Sequence, residues 1–263
     1  MFKNLTIGQH YPIESTIHSL DPRSKILISI AFIVSLFLID SLVGFLVVVA
    51  FLALVIILSK VPFTQVLRGL KPILLIIFLT FIINLFMTPG ETIWSFGFLD
   101  ISREGIYQAS FMGIRLALLI VGTSMLTLTT SPIMLTDGIE QLLSPFKKIG
   151  LPAHELAMMM TIALRFIPTL MQETEKIMKA QKARGADFET GGIIARAKNL
   201  IPILVPLFIS AFRRADELAV AMESRCYHGG DGRTRMKQLK LTFTDFISIV
   251  IFLIYGAVII VFF

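Results

Sequence analysis

Two arginines stand in matching surroundings. Ala180-Gln-Lys-Ala-Arg184-Gly185 recurs as Ala221-Met-Glu-Ser-Arg225-Cys226, 41 residues later, and a glycine pair follows each copy, Gly191-Gly192 and Gly229-Gly230. Each arginine is expected to end a long helix. A guanidinium there is always charged, forks onto carboxylates and complements the negative helix C-terminus. One such residue alone is ordinarily a cap or part of a solvated face. A matched pair, 41 residues apart on helices of similar character, weighs against that ordinary reading.

Methionine is the second feature. Met158, Met159, Met160, Met171 and Met178 fall within 21 residues, and Met222 lies on the later helix. Flexible, polarisable thioethers let one surface re-pack against several partners, and serve equally well as core filling or lipid contact. Arg115 falls in or just outside an apolar run, toward an end from which it can snorkel to the interface, so its expected role is structural. Arg165, just before Phe166-Ile167-Pro168, is expected to pin neighbouring helices through Glu173 or Glu175. Pro168 should kink its own helix.

Other chemistry finds little support. His10, His18, His154 and His228 lack metal-ligand spacing, and the lone Cys226 has neither a CxxC partner nor a clear activating group. Gly229-Gly-Asp-Gly-Arg-Thr234 lacks the lysine of a phosphate loop. No clustered acids, histidines or nucleophile–base pair suggests an intramembrane enzyme. No metal site and no cofactor are expected, and nothing points to nucleic acid.

The elements that must carry these residues are apolar. Of 263 residues, 55% are hydrophobic and 16% charged, with 22 Phe and 12 Met; the mean hydropathy is +0.81. Soluble domains carry about 25% charged residues. The composition indicates an integral membrane protein and excludes both disorder and a disulfide-stapled secreted fold. Ile26–Ile39, Leu42–Leu58, Pro72–Met87, Phe111–Thr127 and Phe246–Phe263 read as five spans, the first two joined by a tight turn at Asp40-Ser41. Met1–Leu20 is expected on the membrane surface or against the rest of the protein.

Charge sets the orientation. Ser59–Lys71 carries Lys60, Arg68 and Lys71 with no acid, whereas Thr88–Gly105 carries Glu91, Asp100 and Glu104 against Arg103 alone. The positive-inside rule makes the first loop cytoplasmic and the second external. The N-terminus then lies inside and Phe263 outside. Ser131–Lys240, with 16 of the 24 Lys and Arg against 11 acids, is cytoplasmic. The expected domains are residues 1–130 with four spans, 131–240 as a cytoplasmic insert, and 241–263 as the last span.

The insert reads as helices. Ser131-Pro132 is an N-cap followed by proline at the first helical position, opening a helix over Ile133–Ile149. His154–Ala183 is a second helix, capped by Gly185. A third runs from about Gly192 to Arg225, interrupted at Pro202 and Pro206. Leu156–Met171 and Leu200–Phe212 are apolar enough to resemble spans. Long amphipathic helices along or under the membrane are preferred, although charge counting alone leaves two further spans open. The basic run Arg233–Lys240 suits anionic lipid beside the last span.

Leu128-Thr-Thr-Ser-Pro132, Leu164-Arg-Phe-Ile-Pro168, Ala180–Gly185 and Ala221–Tyr227 occur in the order seen in the transmembrane component of energy-coupling factor (ECF) importers, the EcfT/CbiQ-like family. The chain resembles that family over nearly its whole length. The resemblance implies an all-α integral membrane protein with about five spans and a cytoplasmic module of long coupling helices. Such a protein is a non-catalytic scaffold in the bacterial cell membrane. It joins two ABC-type ATPases, which bind the ATP and Mg, to a small membrane-embedded substrate-binding S component, dedicated or interchangeable. Two Ala-Arg-Gly signatures of the family dock in the ATPases. The first matches at Ala183, Arg184 and Gly185; the second departs from the pattern as Ser224, Arg225 and Cys226, keeping only the arginine. The resemblance makes Met158, Met159, Met160, Met171, Met178 and Met222 the surface for the S component. The alternative, a self-sufficient small-solute or ion permease, calls for ionisable residues in mid-span, and the five runs offer almost none.

Overall fold

The computed structural model describes residues 10–96, 99–188, 192–230 and 239–262, so Met1–Gln9, Gly191 and the stretch Arg233–Gln238 of the basic run lie outside the described residues. The chain is mostly helical and forms two compact units, Met1–Leu142 with Lys237–Phe263, and Leu143–Met236.

In the first unit, α1 (Pro22–Phe37) opens on Asp21, whose carboxylate accepts from the Arg23 amide, with Pro22 at the first helical position. Then come α2 (Gly44–Ser59), α3 (Phe63–Leu70) and α4 (Leu74–Met87). The chain next forms a hairpin of β1 (Thr92–Phe96) and β2 (Leu99–Ser102), antiparallel with Phe96 opposite Leu99. The hairpin is a small addition to a mostly helical chain: Thr92-Ile-Trp-Ser-Phe96, β-branched and aromatic between Gly90 and Gly97, suits a strand. The long helix α5 (Arg103–Thr129) starts on a Ser102 cap that accepts from the Gly105 amide. Ser131 caps α6 (Pro132–Leu143) by accepting from the Met134 amide. This helix belongs with the first unit, where Gly138 sits against Pro22 and Ile26.

Every apolar run read as a span is helical, but their lengths differ. α5 and the last helix, α9 (Phe243–Phe262), are long and apolar enough to cross a membrane. α3 and α4, bent by 58°, make a third span if taken as one. α1 and α2 have 16 residues each, about 24 Å of rise against a hydrocarbon core of about 30 Å.

The core of this unit is aromatic and branched. Leu36, Ile39, Val48 and Ile259 are fully buried with Phe32, Phe45, Phe111 and Tyr255. Phe51 stacks on Tyr255 with ring centroids 4.4 Å apart, and Tyr255 shares a 3.1 Å hydrogen bond with Ser35. Gly122 allows α5 to approach α1, because a Cβ there would overlap the Phe32 ring. Arg115 donates to the Ile39 carbonyl at 2.6 Å, and its guanidinium lies over the Phe111 ring at 4.5 Å. It ties α5 to the end of α1.

Buried polar groups gather where α1 and α9 begin and α5 ends. The Asp245 carboxylate accepts from the Asp21 amide and from the Thr242 amide and hydroxyl, each at 2.7 Å. Arg23 forks onto Asp21. Burial pushes the Asp21 carboxyl up, but hydrogen bonds from Arg23 outweigh it and leave it below the usual range. Lys25 Nζ donates to the carbonyls of His18 and Thr129. The segment ahead of α1 packs against this end: the Tyr11 amide donates to the Leu128 carbonyl, and the His18 ring bridges the Ser15 hydroxyl and the Tyr11 carbonyl. Burial holds the His18 imidazole below its ordinary value, helped by the nearby Lys25 charge.

The second unit holds a 3-10 helix (Ser144–Ile149), α7 (Ala153–Ala183) and α8 (Ile193–Glu223). The helix expected over Ile133–Ile149 changes to 3-10 at Ser144, where Pro145 has no amide to continue the α ladder. The interruption expected at Pro202 and Pro206 does not occur. α8 runs unbroken through both, since each proline removes one hydrogen bond from a helix long enough to retain the rest.

Candidate functional site

The two arginine motifs form the same structure twice. α7 ends at Ala183, Arg184 follows, and Gly185 turns left-handed at φ +88°. The Gly185 amide donates to the Lys182 carbonyl and the Ala186 amide to Gln181, both at 3.0 Å. At the end of α8, Cys226 is left-handed at φ +56°, its amide donates to Glu223 at 2.8 Å, and the Tyr227 amide donates to Met222 at 3.0 Å. Each bond of the first set has its counterpart 41 residues on. The 6→1 bond that closes each turn is that of a Schellman cap. The Ser224-Arg225-Cys226 departure therefore keeps the backbone of the cap, with cysteine in a conformation that suits glycine.

Both guanidiniums are exposed. Neither makes an ion pair or a side-chain hydrogen bond among the described residues. Ala183, Gly185, Ser224 and Cys226 are exposed too, so each arginine projects from an open helix end. The Ser224 hydroxyl only turns back to the Ala221 carbonyl.

α7 and α8 pack antiparallel. Glu173 near the middle of α7 accepts from the Ser210 hydroxyl at 2.6 Å and from Arg214 at 3.3 Å, residues one turn apart on α8. The Ser210 hydrogen bond, with Arg214, holds the Glu173 carboxyl below the usual carboxylate range. At one end the Tyr227 hydroxyl meets Met158 Sδ at 3.0 Å. Arg225 is thus placed beside the start of α7, and Arg184 lies 26 residues further along it, about 39 Å in a straight helix. The two sites occupy opposite ends of one helical pair.

This arrangement corrects the expectation for Arg165. It is exposed and makes no ion pair among the described residues, whereas Glu173 takes Arg214. Eight positions on one helix are about 12 Å, beyond side-chain reach, and Arg214 comes to Glu173 from the neighbouring helix. Pro168 lies within the continuous α7. The methionines divide: Met159 and Met160 are exposed, at 57% and 39%, while Met158, Met171, Met178 and Met222 are half-buried. Among the described residues, no group of three His, Cys, Asp or Glu is placed to hold a metal ion.

Sequence reasoning missed the Ser210–Glu173–Arg214 contact and the buried cluster around Asp245. A signal for the second was available, since Thr242-x-x-Asp245 ahead of an apolar run has the pattern of a capping box. Nothing local marks the first.

A family model described as cobalt transport protein, CbiQ, matches residues 14–237. The energy-coupling factor transporter transmembrane protein EcfT of Clostridium kluyveri is 62% identical over 94% of this chain and 93% of its own length. The protein of the same name from Thermosediminibacter oceani is 63% identical over 92% of each chain, and that from Bacillus subtilis is 47% identical over 98% and 97%. Given matched arginine-bearing helix ends in one unit, apolar helices in the other, and this likeness along nearly the whole length, the chain belongs to the EcfT/CbiQ family of energy-coupling factor transporter transmembrane proteins.

Proposed function

We propose that this chain is the non-catalytic membrane scaffold of an ATP-driven micronutrient importer, coupling two ABC-type ATPase subunits to a membrane-embedded S component. The single observation that carries the reading is the pair of exposed arginines on helix caps with the same hydrogen bonds at opposite ends of α7–α8. Two like sites far apart suit two like partners. A guanidinium with no partner of its own is ready for a carboxylate on each. Truncating one member of such a desolvated pair costs about 2–5 kcal/mol. In this reading the five apolar helical runs span the cell membrane with the N-terminus inside and Phe263 outside, and α7 and α8 face the cytoplasm. ATP and Mg belong to the ATPases. ATP-driven closure of the ATPases moves the two arginine ends relative to each other about the Glu173 contact. The methionine-bearing surface of α7 and α8 reshapes and releases or reorients the S component.

The test is reconstitution of the complex with Arg184→Ala, Arg225→Ala and both together. Each single change should weaken assembly and ATP-driven uptake, and the double change should abolish uptake. Unchanged assembly and uptake in the double variant would overturn the proposal.

A further inference from the structure

The first unit is closely packed at one end and hollow at the other. The cluster of Leu36, Val48, Tyr255 and Ile259 fills the end where α1 and α9 finish and α2 begins. Toward the opposite end, α1, α2, α5 and α9 part around a cavity of about 350 Å³. Its walls are apolar, with Phe32, Leu52, Val55, Leu126 and Ile251. Its polar lining includes Lys25, Thr129, Thr244 and Ser248, which come from the starts of α1 and α9 and the last turn of α5. Most polar groups therefore lie at the end near Lys25, among Leu20, Leu58 and Ile247, and the depth is apolar apart from Ser29.

Lys25 is the group that defines the mouth. It is only 6% exposed, and its ammonium donates to His18 and Thr129 carbonyls at 3.1 and 3.0 Å. An ammonium has three N–H donors, and the described residues accept two of them, which leaves one for a ligand in the cavity that Lys25 lines. The site does not select a net charge, because Asp21 and Asp245 already balance Arg23 and Lys25. It selects a neutral acceptor joined to a flexible apolar chain. Protein interiors pack to crystal density, and apolar hollows stay dry. A helix, about 10–12 Å across with its side chains, is a poor match for this space and brings no free acceptor to the mouth.

We propose that the cavity holds one acyl chain of a membrane glycerophospholipid, its ester carbonyl accepting from Lys25 Nζ and its chain running along α1 to Phe32, about 10 Å deeper. The ends of apolar helices lie at the level of the lipid ester groups, so the mouth and the carbonyl meet at one depth. The lipid would complete the packing between α5 and α9. The proposal rests on the membrane location and not on the arginine sites.

The experiment uses the full chain in phosphatidylethanolamine vesicles containing a diacyl phosphatidylcholine with a mid-chain diazirine, followed by peptide mapping after photolysis. Adducts on Phe32, Leu52, Val55 and Leu126 should exceed those on Leu46 and Leu253, which are 68% and 64% exposed on the outer surface. The dialkyl ether analogue, lacking the carbonyl, should lower cavity labelling about tenfold, the worth of one hydrogen bond from a charged donor, and leave outer labelling unchanged. Leu126→Trp should remove cavity labelling. Val55→Phe, a smaller change on a different helix, should do the same if the first variant fails to fold. Equal labelling inside and outside, equal labelling by the ether, or insensitivity to both folded variants would overturn the proposal. So would loss of cavity adducts when the partner subunits are added, which would give the space to a protein segment.

Discussion

Gly185 and Cys226 occupy the same backbone position in two copies of one helix cap, left-handed at φ +88° and +56°. Glycine adopts this conformation freely, whereas a side chain meets the carbonyl beside it and costs about 1–2 kcal/mol. The second cap closes in spite of that cost because the bonds from Cys226 to Glu223 and from Tyr227 to Met222 over-determine the turn. Cys226→Gly should therefore stabilise the end of α8 by about 1 kcal/mol, and Gly185→Cys should destabilise the end of α7 by a similar amount. Hydrogen exchange of the amides from Ser224 to Tyr227 checks this: protection should rise about fivefold in the first variant.

Arg184 and Arg225 contribute little to the fold because neither side chain has a partner among the described residues. Arg184→Ala and Arg225→Ala should each shift the stability of the isolated chain by less than about 0.5 kcal/mol. Lysine at either position should restore the charge but only part of the uptake, since it cannot fork onto a carboxylate. Thermal unfolding of the isolated chain, measured beside uptake by the complex, separates the two effects. A large loss of stability would show that the arginines are structural.

Glu173 joins α7 to α8 through Ser210 and Arg214, with its side chain 27% and that of Arg214 36% exposed. At that exposure the ion pair is screened, and the hydrogen bond from Ser210 should dominate. Glu173→Ala should cost about 1 kcal/mol, and a double-mutant cycle with Ser210→Ala should recover most of it as coupling. The folded carboxyl lies below its ordinary value of 4.5. This stabilisation is therefore complete above about pH 4.5 and is lost as pH falls through the lower folded value.

His18 responds to a different pH range. Its folded value lies below the ordinary 6.5, so the folded state favours the neutral ring. That ring accepts from Ser15 and donates to the Tyr11 carbonyl. The contribution is complete above about pH 6.5 and is lost as pH falls through the folded value. Exchange of the Tyr11 amide, which is bonded to the Leu128 carbonyl, should accelerate over that range relative to amides in α5. His18→Gln should remove the pH dependence.

Asp245 is 1% exposed and accepts three hydrogen bonds. Asp245→Ala should cost about 3–5 kcal/mol, because it strands the Asp21 amide and removes an acid that balances Lys25 and Arg23. Asp245→Asn should cost less, since its amide oxygen can still accept. Chemical denaturation in detergent gives the order, and equal losses would contradict it.

The sequence by itself determined where most helices begin and end. Asp21-Pro22, Ser131-Pro132 and Gly185 act within one turn of backbone, and a signal that short is complete in local sequence. The five apolar runs were legible for the same reason, as was the pair of arginines. Only the tertiary structure decided which polar groups meet: Glu173 takes Arg214, 41 residues away, and Asp245 takes the Asp21 amide, 224 away. Those partners depend on which faces pack, and no local pattern records that. The unbroken α8 at Pro202 and Pro206 and the left-handed Cys226 were likewise decided above the local level. In each, bonds made by neighbouring residues outweigh a residue's own preference. Equivalence of the two arginine sites was a matter of spelling in the sequence, and their separation to opposite ends of one antiparallel pair comes from packing alone.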